Sequence, residues 1–442
     1  TEENIIKKIK NSTAQCRIQF SFPDILKILS ENIYSSPHTA IRELIQNGHD
    51  AINRRLIEDI NFDEKPEIQI KTNPRKKFIK IIDNGSGLTK DEIINYLGFL
   101  GKSFTGELKE SIKTQDKEKA LALIGQFGIG FFSAFSICKK IEVLSRSYSS
   151  NGSCRFVCNA NGTYTIEHFD KNNIGSELTI YLKDEFEYLL DEIILRKIIK
   201  EYTGFLPIPI FINEGKIPIN DIKAPWNIKD TTENDYRTFI KDYLDTNPIA
   251  IIPVNEENIK GILFVQEYSS ISTKEFGDVS VYIRNMFICS GEKDLLPPYA
   301  RFISGIIESP SLTPTASREN LKKDANFEEI QNILEDKILS FLKNPANSEI
   351  IKKVTESHCS LIKTWSLQNY DFFEVIKNLV TFETSHSRQT LPEYLKYNKN
   401  RIFYFKDDIG KEQLKLFFES LDLITIDARY ISDEPFLNTY AD

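Results

Sequence analysis

Arg42-Glu-Leu-Ile-Gln-Asn-Gly-His-Asp-Ala51 is the stretch on which the reading of this chain turns. At about 100° per residue, Glu43, Asn47 and Asp50 share one face of a helix, while Leu44, Ile45, Ala51 and Ile52 would face a core. The periodicity predicts a helix over Thr39 to Ile57, preceded by another over Ile25 to Ile33. A glutamate and an asparagine in register can orient a water and complete the shell of a magnesium ion that phosphates already occupy. The plainer alternative for an isolated motif of this kind is a solvated helix face.

Downstream, Ile68 to Lys71 and Phe78 to Ile82 read as a hairpin ending in the turn signal Asp83-Asn84-Gly85. Within Asp83-Asn-Gly-Ser-Gly87, Gly85 and Gly87 let the backbone take positive φ and approach a ligand closely. The Asp83 carboxylate can accept from an exocyclic amine such as that of adenine; a simple β-turn is the other reading. Asp91 to Leu97 is expected as a helix. Residues 98 to 124, with Gly98, Gly101, Gly106 and a Lys/Glu-rich run of little periodicity, read as a mobile segment. Gly125, Gln126, Phe127, Gly128, Ile129 and Gly130 then enter the helical run that begins at Phe131, so that backbone N–H groups and a helix N-terminus can cradle phosphates. This loop lacks the Gly-Lys-Ser/Thr ending of a P-loop and does not follow a strand as a dinucleotide fingerprint would. Gly175-Ser176 opens a strand expected over Glu177 to Leu182, where a hydroxyl can reach the same base. Further strands are expected at Ile141 to Arg146, Arg155 to Asn159 and Tyr164 to His168.

Helices, then strands, then helices without strict βαβ alternation predict an α/β sandwich over residues 1–215. The proline-containing stretch Gly215 to Thr232 reads as the crossing to a second domain. There, strands are expected at Ile262 to Gln266 and Val279 to Ile283, with helices following from about Tyr299. The resulting division is a large α/β part over 216–335, a helical connector over 336–395 and a small α/β part over 396–442. That last part has strand Ile402 to Phe405, helix Lys411 to Ser420 and strand Leu423 to Asp427.

A length of 442 residues calls for two to four folded units. The charge of -8, from 64 acidic and 56 basic residues, argues against a nucleic-acid surface. Six cysteines are too few for a disulfide framework in a chain this long and suit a reducing cytoplasm. Cys154 and Cys158 lack a second ligand pair at zinc spacing. The apolar run Leu121 to Phe135 is too short and too glycine-rich to span a membrane. The start, Thr-Glu-Glu-Asn, carries neither a basic stretch nor an apolar signal core.

In their order and separations the four nucleotide-type elements resemble the ATP site of the GHKL superfamily, with its Bergerat-type α/β sandwich. Local sequence narrows this to the 90-kDa heat-shock chaperones, in their bacterial form. Arg42 to Ala51 is similar to that family's first signature, Leu97-Gly-Phe-Leu-Gly-Lys-Ser103 to its second, and Ile124 to Ala134 to its third. Ile283-Arg-Asn-Met-Phe-Ile288 and Ser317-Arg-Glu319 resemble signatures of its middle domain. The resemblance implies an ATPase whose cycle opens and closes a clamp on client proteins, using ATP and Mg2+. It implies Glu43 as general base, Asn47 as magnesium ligand, and Asp83 with Ser176 as adenine contacts. Asp50 and Gly87 would line the pocket, residues 98–124 would form a lid with Lys102 near the nucleotide, and Gly125 to Phe131 would hold the phosphates. Arg318 would reach the γ-phosphate from the middle domain. It also implies a homodimer formed through a C-terminal segment that these residues do not include. Tyr96, Gly101, Phe104 and Ser176 stand where the family usually has Asn, Ala, Gly and Thr. A specialised ATP switch in a dedicated assembly, such as a defence or signalling complex, is the alternative to a general chaperone. A DNA-acting relative fits the acidic charge poorly, and a histidine kinase would need a phosphoacceptor helix that none of the five histidines supplies.

Overall fold

A computed structural model describes residues 21–28, 36–99, 130–220, 222–267, 277–315, 318–407 and 411–441. The chain divides into two compact units, residues 1–198 with 208–218, and residues 199–207 with 219–442.

In the first unit, the seven strands β1 (Ile68–Asn73), β2 (Phe78–Asp83), β3 (Cys138–Arg146), β4 (Ser153–Asn159), β5 (Tyr164–His168), β6 (Gly175–Leu182) and β7 (Ile210–Ile212) form one mixed sheet. Its order is β5-β4-β3-β6-β2-β1-β7, antiparallel throughout except for β7 beside β1. Side chains alternate across a strand, and Ile79, Ile81 and Asp83 of β2 are all buried. The apolar alternation that seats two isoleucines in the core therefore also turns the Asp83 carboxylate inward. Helix α1 (Phe22–Ile28) sets the Phe22 ring edge-on against Phe132 and Phe135. The sheet is covered by α2 (His38–Glu58), which buries Ile41, Leu44, Ile45 and Ile52. The helix expected over Thr39 to Ile57 is present; of the one expected over Ile25 to Ile33, residues 25–28 are helical and residues 29–33 lie outside the described residues. The expected helix over Asp91 to Leu97 is a single α turn, Lys90–Glu92, running into a π-helical turn, Ile93–Leu97.

Two elements of this unit stand outside the sequence expectations. Strand β7 is three residues long and sits between Pro209 and the turn at Asn213, so its pattern is too short to read. Helix α3 (Glu192–Thr203), whose last turn is counted with the second unit, is amphipathic, with Leu195, Ile198 and Ile199 buried.

The second unit begins with α4 (Glu233–Leu244), started by a capping box in which Thr232 and Asp235 satisfy each other's backbone N–H groups. Strands β8 (Pro248–Asn255), β9 (Lys260–Gln266), β10 (Val279–Ile283), β11 (Met286–Cys289) and β12 (Ile303–Glu308) make a five-stranded sheet ordered β11-β10-β12-β9-β8. The expectation of helices from about Tyr299 is corrected here: apart from a short turn at Pro298–Ala300, residues 303–308 are the central strand of this sheet, paired with β9 and β10. Ile303, Ser304, Gly305, Ile306 and Ile307 are all buried, so the strand shows no polar–apolar alternation and reads as an unassigned apolar run.

Helices α5 (Ala325–Lys343), α6 (Ser348–Ser357), α7 (Cys359–Ser366) and α8 (Tyr370–Ile376) follow. Phe327, Ile330, Leu334 and Ile338 of α5 are fully buried in a core shared with the sheet. After a two-residue strand pair (β13, Thr381–Phe382, and β14, Gln389–Thr390) and α9 (Leu391–Tyr397), the chain forms β15 (Tyr404–Phe405), α10 (Lys411–Ser420), β16 (Ile426–Asp427) and α11 (Asp433–Ala441), with β15 and β16 parallel. No helix among the described residues is long and apolar enough to cross a membrane.

Candidate active site

Helix α2 is the wall on which the candidate residues assemble. Glu43 is buried on it, and the guanidinium of Arg42, itself 1% exposed, donates from Nη2 to Glu43 Oε1 at 3.1 Å. A buried ion pair of this kind orients the carboxylate. Its other oxygen, Oε2, lies against Gly130, where an added Cβ would come within 2.5 Å. The glycine thus lets the helical turn Gly130–Ser133 start directly against the carboxylate. Phe131 points into the core, edge-on to Phe132 and Phe156 at 5.2 and 6.1 Å between ring centroids, so only its backbone is placed to serve a ligand. Asn47, one turn beyond Glu43, is exposed. Asp50 is buried, with its Oδ1 3.5 Å from His49 Nδ1.

Asp83 meets the same helix five residues after Glu43, about 7.5 Å further along its axis at 1.5 Å per residue: a Cβ at Gly48 would lie 3.5 Å from Asp83 Cβ. The turn behind the carboxylate is clamped to the helix. Ser86 N donates to Ala51 O at 2.8 Å, and a Cβ at Gly85 would fall 2.5 Å from the Ala51 carbonyl carbon. Gly87 has φ +60° and leaves no room for a side chain, since a Cβ there would be 1.9 Å from Arg146 O. Gly85 N donates to Asp83 Oδ1 at 2.9 Å. Burial away from water pushes the Asp83 carboxyl up to about 7, against the pull of the Gly85 and Ser176 amides and of the Lys171 and Arg55 charges. Ser176 stands directly opposite Asp83 in the β2–β6 register, with its Oγ 3.0 Å from Ser145 Oγ, which in turn accepts from Leu88 N at 2.8 Å.

Glu43, Asn47, Gly130, Asp83, Gly87 and Ser176 are therefore gathered along one helix and the turns packed on it. Arg318 belongs to the second unit, where it is buried with φ +55° and its N–H donates to Thr315 O at 3.0 Å. A left-handed arginine costs about 1–2 kcal/mol, which points to a backbone held for a reason. The lid expected at about 98–124, together with Lys102, Gly125, Gln126, Phe127, Gly128 and Ile129, lies outside the described residues except for 98 and 99.

Three neighbours of the site went unflagged in the sequence. Arg42 precedes the glutamate, but nothing in its spacing shows that it folds back onto it. Ser145 joins Ser176 only through sheet register, and Lys171 lies on a loop with no motif of its own. A buried acid beside a helix start, and a second buried acid with backbone donors fixed behind it, suit a ligand that bears phosphates at one end and a hydrogen-bond donor at the other.

Two family models match the chain. Residues 34–185 fit the family described as histidine kinase-, DNA gyrase B- and HSP90-like ATPase, and residues 213–421 fit the Hsp90 protein family. Among curated proteins, the chain is 27% identical to the chaperone protein HtpG of Mycolicibacterium paratuberculosis, over 91% of this chain and 70% of that one. It is 29% identical to HtpG of Chlorobium chlorochromatii, over 90% and 65% of the two chains. It is 28% identical to HtpG of Helicobacter pylori, over 89% and 70%. The chain thus spans about two thirds of the length of these relatives.

Proposed function

We propose that this chain, which the Hsp90 protein family model matches over residues 213–421 and the HSP90-like ATPase model over residues 34–185, is an ATP-dependent chaperone of the Hsp90 type whose hydrolysis cycle drives clamp opening and closing on client proteins. The observation that carries the site assignment is the convergence on α2 of buried Glu43 beside Gly130 and buried Asp83 beside Gly48.

Asp83 accepts from the exocyclic amine of adenine, with the Ser176 hydroxyl beside it on the next strand. The peptide N–H groups of Gly130 and Phe131, at the start of a helical turn, serve the phosphates; for Gly125 to Ile129 and for Lys102 the same role is carried by the family resemblance alone. Glu43, oriented by Arg42, takes the proton of the attacking water at its carboxylate. Asn47 is exposed, and its amide oxygen would be a hard ligand suited to Mg2+, which when bound would neutralise charge on the phosphate oxygens. Arg318 is carried over from the family resemblance as the cation for the γ-phosphate, where a fixed positive charge would stabilise transition-state charge. The protein works in the cytoplasm, as a dimer, on client proteins.

Steady-state hydrolysis by the full chain tests these roles. Glu43→Ala and Arg318→Ala should each lower turnover by about tenfold or more, at least ~1.4 kcal/mol of barrier, while ADP still binds. Unchanged turnover in both would overturn the assignment.

A further inference from the structure

Resting on the reading of Ser176 as an adenine contact, we infer that Ser145 is a positioning residue of the base site. By donating its own proton to Ser176 Oγ it leaves the Ser176 O–H to donate to the ligand, which selects a base with a ring acceptor beside its exocyclic amine.

Three adjacent strands build a polar row. Ser145 of β3 pairs with Ser176 of β6, which pairs in turn with Asp83 of β2, so the three side chains leave the sheet on one face. Two residues along that face stand Val143, Leu178 and Ile81, of which Val143 and Ile81 are buried. The polar row thus ends an apolar sheet face. Ser145 is 0% exposed. Its Oγ accepts from Leu88 N at 2.8 Å, just beyond the Gly87 turn that packs against Arg146 O, and it lies 3.0 Å from Ser176 Oγ. Ser176, by contrast, is only partly buried.

The proton inventory fixes the direction of the hydroxyl pair. A serine hydroxyl has one proton to give and two lone pairs. With one Ser145 lone pair taken by the Leu88 amide, the Ser145 proton still needs an acceptor, because a fully buried donor left unmade is costly. Among the described residues, Ser176 Oγ is the acceptor in reach. The opposite arrangement, Ser176 donating to Ser145, would leave that buried proton without a partner. Ser145 is therefore the donor of the pair, and the proton of the less buried Ser176 is left for a ligand. Beside the Asp83 carboxylate this makes an acceptor next to a donor. Adenine matches the pair with the amine on C6 and the lone pair on N1. Hypoxanthine, with a carbonyl at C6 and a proton on N1, meets both groups in the wrong sense.

The test is calorimetric affinity for ADP and for IDP, its hypoxanthine counterpart, in the full chain at about pH 8.5, above the Asp83 value of about 7, so that the carboxylate only accepts. Wild type should prefer ADP by about tenfold or more. Ser145→Ala frees the Ser176 hydroxyl to turn and accept from the N1 proton, and should shrink that preference by about threefold or more. Ser145→Cys, which fills the same space with a weak donor, should act in the same direction and serves if the alanine variant does not fold. Ser145→Thr keeps the hydroxyl and should hold the preference within about twofold of wild type. An unchanged preference in the alanine and cysteine variants overturns the inference. So does an equal loss of both nucleotides, the mark of a purely structural role through Leu88, or a threonine variant that falls as far as alanine. A wild type that binds neither nucleotide, or binds both alike, instead overturns the reading of Asp83 and Ser176 as base contacts, and the inference with it.

Discussion

Gly130→Ala isolates the placement of the Glu43 carboxylate from its presence. The added methyl would lie 2.5 Å from Glu43 Oε2, about 0.9 Å inside the 3.4 Å at which ordinary contacts begin. Arg42 holds the opposite oxygen at 3.1 Å, and both side chains are almost wholly buried, so the carboxylate gives way by pivoting about that ion pair, which stays made. The relief is a displacement of the carboxylate by roughly 1 Å. A misplacement of that size in a catalytic group costs on the order of 10–100-fold, or about 1.4–2.8 kcal/mol of barrier. Folding should suffer little, because only the end of one side chain must give and Gly to Ala in a helical turn is itself stabilising by about 0.5–1 kcal/mol. The expected result is a turnover number at saturating ATP 10–100-fold below wild type, with ADP affinity within about threefold and an unchanged thermal midpoint. Turnover within twofold of wild type would refute the argument that the helix start at residue 130 positions the general base.

Two further outcomes concern the second unit, which contains both tryptophans, Trp226 and Trp365, and can be followed by their fluorescence. Lys363 Nζ on α7 is 2.7 Å from Asp433 Oδ1 on α11, with both side chains at most 5% exposed and the ammonium 3.5 Å from the Phe382 ring centroid. Lys363→Met leaves a buried carboxylate alone and should cost about 3–5 kcal/mol in urea unfolding, whereas the double change Lys363→Met with Asp433→Asn should recover much of that loss. His358, buried with Nε2 2.8 Å from Gln266 O, has its proton affinity lowered by burial, and the carbonyl only partly offsets this. Its folded form is therefore neutral while the unfolded chain takes up a proton below about pH 6.5. Stability should be constant above that pH and fall as pH drops below it. His358→Gln should flatten the slope in unfolding measured from pH 7.5 to 5.5, and an unaltered slope would exclude this histidine as its source.

Much of the site could be read from short motifs because helix and turn chemistry are local. Glu43 and Asn47 follow from the 3.6-residue repeat that also buries Leu44 and Ile45, and the Asp83–Gly87 turn follows from its glycines. The strand limits were close for the same reason: in β2 the alternation of Ile79 and Ile81 marks both the element and its inward face. The middle of the second unit was harder. Residues 303–308 are covered on both faces and lack alternation, so their membership of a sheet depends on β9 and β10 lying on either side. Strand β7, three residues beside β1, has no pattern long enough to detect.

What local sequence could settle, then, was which residues offer acid, amide and backbone donors, and on what kind of element each sits. Only the folded chain decided their company. The β2–β6 register set Ser176 opposite Asp83, and close approach at Gly130 laid a helix start on Glu43. The physical reason is that propensity and periodicity act over a few residues, whereas burial and charge coupling depend on groups far apart in the chain that meet only when the sheet closes over its core.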